Sequence, residues 1–125
     1  MVYTETSNKS VQEVVNEIQE KISDYKFGVL HIHNVAKTLE SKGVEFNEEC
    51  QILDICNPNF AKLFLENDMT LSTIMPCKIS VYSKDNQTYI SMNSIVQLID
   101  DINPDLVDEA QEVQKIVLDL IENTK

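Results

Sequence analysis

Glycine is almost missing from this sequence: 125 residues contain two, beside three prolines and three cysteines. A phosphate-cradling loop needs several glycines for its turns and for close backbone approach, so no glycine-rich nucleotide loop is present. The shortage of both chain breakers favours regular elements with short connections. Basic residues are also scarce, ten Lys and Arg against 21 Asp and Glu, for a net charge of −11. Nucleic acid demands a Lys/Arg face, so it is not an expected partner. Anionic membrane surfaces are disfavoured for the same reason. No apolar run approaches the ~20 residues that span a bilayer. There is no CxxC and no HExxH, the spacings that would announce a metal or redox motif.

The first residues, Met1-Val2-Tyr3-Thr4-Glu5-Thr6, lack the basic and apolar regions of a secretion signal. A cytoplasmic chain with reduced thiols is therefore expected, not a disulfide framework. Asn8-Lys9-Ser10 and Asn86-Gln87-Thr88 match the glycosylation pattern but would go unused there.

Apolar residues make up 42 % of the chain, and no repeat or low-complexity stretch interrupts it, so one globular domain over residues 1–125 is expected. Residues 2–6 alternate weakly, as an edge strand does. Ser10 with Glu13 forms a capping-box signature. Val11, Val14, Val15, Ile18 and Ile22 then repeat at helical spacing. A strand is predicted over residues 27–33, and a short helix through Val35, Ala36 and Leu39 stops at Gly43.

A second strand covers residues 50–56, followed by Asn57-Pro58 as N-cap and first helical residue. Phe60, Ala61, Phe64 and Leu65 form the stripe predicted to be buried on that helix. Strands over 76–82 and 88–92 flank a hairpin loop at 83–87. Asn103-Pro104 repeats the helix-start device ahead of a long amphipathic helix bearing Leu106, Ala110, Val113, Ile116, Val117, Leu120 and Ile121. Its stripe reads as core or as a dimer face. The strands lack regularly alternating crossover helices, so the fold class is α+β: two layers, a mostly antiparallel sheet, and helices packed on one face.

Two thiols stand at joints between elements. Cys56 precedes the N-cap Asn57, where exposed helix N–H groups favour a thiolate, so an acidic Cys56 is expected. Cys77 follows Pro76 at a strand start. Proline locks φ and Asn caps, which suits the holding of a site. The plain alternative is that both are small buried hydrophobes, as free cysteines commonly are. Cys50 has no special neighbour. His31 and His33 fall on one strand face with Phe27 and Val29. An H-x-H pair is unspecific, and no carboxylate stands at fixed spacing from it, so no metal site is assigned. No carboxylate stands in an apolar context that would raise its pKa for acid–base work.

Several of these runs together resemble the DUF302 family, small proteins of no established activity. They are Lys26-Phe27-Gly28-Val29-Leu30, the Gly43 turn, Ile52-Leu53-Asp54-Ile55-Cys56-Asn57-Pro58 with Ala61, and Pro76-Cys77 ahead of Ile79 and Val81. The likeness covers about residues 2–102. It implies a curved, mostly antiparallel sheet backed by helices, similar to TATA-binding-protein-like folds, and often a homodimer. It also implies that Cys56, Asn57, Pro58, Pro76 and Cys77 belong to one site. It names no substrate and no cofactor, and His31, His33 and the C-terminal helix lie outside the motif. The expected function is a small ligand-binding module with its site around Cys56 and Cys77. The alternatives are a thiol-based redox protein or enzyme using the same two residues, and a structural dimeric subunit.

Overall fold

Along Cys50–Cys56 every second side chain is buried: Gln51, Leu53 and Ile55 point inward while Cys50, Ile52, Asp54 and Cys56 stay half-exposed. This strand, β3, anchors the sheet in the computed structural model, which describes residues 1–125. The other strands are β1 (Val2–Ser7), β2 (Gly28–Asn34), β4 (Cys77–Lys84) and β5 (Gln87–Asn93), in the spatial order β1-β5-β4-β3-β2. Every neighbouring pair is antiparallel. The fold is α+β, as the absence of regular β–α alternation implied.

Apolar residues of the inner face, Leu53, Ile55, Ile79, Val81, Ile90 and Met92, are buried beneath helices. Helix α1 (Val11–Lys21) begins at Ser10, whose hydroxyl accepts from Glu13 N–H while the Glu13 carboxylate accepts from Ser10 N–H. Those bonds hold the Glu13 carboxyl below its ordinary pKa. Val11, Val14, Val15 and Ile18 are sealed against the sheet. The buried amide of Gln51, among these apolar groups, donates to Gln12 of α1. Helix α5 (Val107–Thr124) closes the same face, with Ala110, Val113, Val117, Leu120 and Ile121 buried. Its stripe is therefore core, with Ile116 only partly covered.

Four sequence readings change. The hairpin is tighter than residues 83–87: both strands extend, and only Asp85 and Asn86 turn the chain, at φ of 51° and 66°. Asn and Asp tolerate this left-handed region, as a two-residue hairpin requires. In β2 the register shifts between Val29 and His31, leaving Leu30 unpaired. That bulge breaks the alternation, so His31 and His33 lie opposite Asp54 and Ile52, on the face opposite to Val29. Asn103 caps a 3₁₀ turn at Pro104–Leu106, and α5 starts only at Val107. A further helix, α4 (Ile95–Asp100), went unpredicted although Ser94 caps it by accepting from Gln97 N–H.

Candidate functional site

Asn57 decides the local geometry at the end of β3. Its Oδ1 accepts from the backbone N–H of Asn59 and Phe60, at 2.9 and 3.1 Å, starting helix α3 (Pro58–Asn67), the next helix after the short α2 (Val35–Ser41). Its Nδ2 donates to the Lys26 carbonyl at 2.9 Å, tying the helix start to the chain entering β2. After α3 the chain makes a 3₁₀ segment, Met69–Ile74, then passes through Met75 and Pro76 into β4. Asp68 secures this return: Oδ1 accepts from Thr70 N–H and Oδ2 from Asn103 Nδ2, at 2.9 and 3.1 Å. Bonds from Thr70 and Asn103 also hold the Asp68 carboxyl below the usual carboxylate range.

Between α3, the 3₁₀ segment, α4 and the ends of β3 and β4 lies a cleft of about 530 Å³. Of its 22 lining residues, 16 are hydrophobic, which makes its interior apolar. Phe60, Ala61, Phe64, Leu65, Leu71 and Ile99 form much of the wall. The stripe expected to fill core on α3 thus faces the cleft: Phe64 is buried, but Phe60, Ala61 and Leu65 remain half-exposed. The reason is position. Helix α3 stands off the strand ends and meets the 3₁₀ segment, so no sheet face lies beneath it to close the gap.

Cys56, Asn57, Pro76 and Cys77 all line this cleft. Pro58 does not; it is exposed at the first position of α3. Cys77 pairs with Ile55 across β3–β4, which places Cys56 one residue further along. Burial pushes the Cys77 thiol up to about 11, and the neighbouring Cys56 thiolate adds to the shift. Cys56 is also raised, by burial. The expectation of an acidic Cys56 fails because desolvation governs its thiol, while the first N–H groups of α3 already donate to Asn57. Cys50 is half-exposed at the far end of β3.

His31 is outside the cleft. Its Nδ1 lies 3.8 Å from Asp54 Oδ2, while Asp54 Oδ1 accepts from Lys78 Nζ at 2.6 Å. His33 bonds to Thr38 Oγ1 at 3.1 Å, and the two imidazole centroids are 6.5 Å apart. No group of three or more His, Cys, Asp or Glu side chains is gathered as a metal would require. Sequence reading missed Leu30, Phe60, Phe64, Leu71, Met75 and Leu98 as cleft residues. Only the α3 stripe left a signal, and its periodicity is the same whether it faces core or cavity.

No helix is long and apolar enough to cross a membrane. No protein of curated function matches the chain. The model of "Domain of unknown function DUF302" matches residues 3–124. The chain is also similar to the crystal structure of an uncharacterized conserved DUF302 protein from Bacillus stearothermophilus, at 27 % identity and a TM-score of 0.94. That likeness covers 99 % of this chain and 98 % of the other. Agreement in both sequence pattern and backbone, over nearly the whole length, places the chain in a family: it belongs to DUF302.

Proposed function

We propose that this protein is a single-domain, cytoplasmic binding module that holds a small apolar molecule in the cleft beside Cys56 and Cys77. The observation that carries the reading is the cleft itself, whose volume of about 530 Å³ falls within the roughly 300–1,000 Å³ of small-molecule sites. In this reading Asn57 and Pro76 hold the backbone of the wall, and Pro58 acts from outside by starting α3. The thiols contribute small apolar surface and weak donors. A thiolate-based redox or catalytic role is the weaker alternative, because both thiols are held above their ordinary pKa and His31 stands outside the cleft.

The test is native mass spectrometry of the protein purified from its own host, with Ala61→Trp prepared alongside. The wild type is expected to carry a non-covalent small-molecule mass that Ala61→Trp, with its cleft filled, has lost. A wild type with nothing bound, and no rise in melting temperature with any apolar compound, would overturn the reading.

A two-fold homodimer is a separate proposal. The α5 stripe is used in the core, and of the two sheet edges we place the contact at β1, where Met1 and Val2 are exposed. Sedimentation velocity of the wild type and of Thr4→Pro, which blocks strand pairing at that edge, decides it: a monomeric wild type at high micromolar concentration ends the idea.

A further inference from the structure

The cleft wall carries one ionised side chain, Lys78, and not one carboxylate, in a chain with 21 acidic residues and ten basic ones. Lys78 is the second residue of β4 and sits at the mouth, its side chain 60 % exposed. Asp54 on the neighbouring strand holds Nζ at 2.6 Å but is not part of the wall. An ammonium has three donors, so the Asp54 contact leaves two for a ligand.

Asn93 is the other polar group at this lip. The last β4–β5 pair is Ser80 with Ser91; Lys78 and Asn93 each lie two residues beyond it on their strands, and both line the cleft. Asn57, by contrast, is spent: both its amide atoms are engaged by backbone groups. The other polar side chains of the wall carry no charge: Ser72, Thr73, whose hydroxyl donates to the Thr70 carbonyl, and two thiols kept protonated by burial. A positively charged ligand would find no counter-charge on the wall, and a neutral one would leave the Lys78 donors to water. An anion at the lip gains charge-assisted hydrogen bonds while its apolar body fills the interior.

Building on the cleft reading, we propose that the ligand is an amphiphile with a carboxylate head. Its tail lies against Phe60, Phe64 and Leu71, and its head takes Lys78 and Asn93 at the mouth. The overall charge of −11 repels such a head, so any preference for it reports the local cation.

The test is calorimetric titration of the full chain with dodecanoate, 1-dodecanol and dodecyltrimethylammonium, each below its micelle concentration. Dodecanoate is expected to bind about tenfold tighter than dodecanol, the size of one charge-assisted contact at a partly exposed site, with the cation weakest. In Lys78→Met the dodecanoate-to-dodecanol ratio is expected to fall to about one, while Lys78→Arg keeps it. A wild-type ratio near one, or a ratio unchanged in Lys78→Met, overturns the head-group assignment while bound dodecanol leaves the cleft reading standing. If none of the three binds, the cleft reading falls and this proposal with it.

Discussion

Helices α1 and α3 carry similar apolar stripes, yet one is sealed and the other is open. Val11, Val14 and Ile18 of α1 are 0 % exposed, whereas Phe64 is the one buried residue of α3. Amphipathicity does not separate them; what lies opposite does. Helix α1 rests on the inner side chains of β3 and β4 and is flanked by α5, so its stripe has partners in every direction. Helix α3 is launched past the strand ends by the Asn57-Pro58 start, and its stripe meets another surface segment across a gap. The comparison teaches that a hydrophobic stripe marks what wants to be covered, while topology decides whether protein or ligand covers it.

The widest separation between the two regions comes from truncation. Ile18→Ala removes a fully buried side chain and should cost about 2–5 kcal/mol, lost transfer energy plus a cavity. Phe60→Ala, on a wall that already faces open space, should cost only about 1 kcal/mol while abolishing ligand retention. Denaturant midpoints of the two variants settle this, and equal losses would mean that the cleft region packs as core.

Titration of Cys77 gives the next effect. Below about pH 9 both folded and unfolded thiols keep their proton, and stability is unaffected. Between that value and about 11 only the folded chain holds it, so the folded state loses ground as pH rises. The integrated loss is on the order of 2 kcal/mol. Denaturant unfolding at pH 8 and pH 10.5 should show Cys77→Ala escaping this part of the loss. Parallel pH dependence in both proteins would place Cys77 in contact with water.

A smaller effect concerns the start of each helix. Ser10→Ala and Asn57→Ala each remove an N-cap, worth about 1 kcal/mol. The Asn57 variant should in addition free the first N–H groups of α3 beside Cys56. Iodoacetamide labelling of Cys56 is then expected to speed up by roughly threefold in Asn57→Ala and to stay unchanged in Ser10→Ala. Unaltered labelling in both would show that Asn57 does not shield Cys56 from the helix dipole.

Much of the fold was legible because it rests on local rules. The capping box at Ser10 and Glu13, the alternation through Cys50–Cys56 and the Asn57-Pro58 start are fixed by residues within one or two turns of each other. The family likeness was legible too, since Cys56-Asn57-Pro58 and Pro76-Cys77 stand in that order along the chain and the family match spans both. The readings that failed depended on partners far away in sequence. The α3 stripe looked like core because periodicity reports an apolar face without its neighbour. The Leu30 bulge is invisible until β2 is laid on β3, and it alone moves His31 and His33 to the other face. Cys56 looked acidic beside a helix start, and burial, which depends on what the tertiary fold packs around it, reversed the sign. Sequence by itself determined the elements and the two thiols at their joints, because capping, alternation and turn chemistry act over a few residues. Tertiary structure alone decided that those joints converge on a cavity with Lys78 at its lip, because a cavity is the space left between elements and no single segment encodes it.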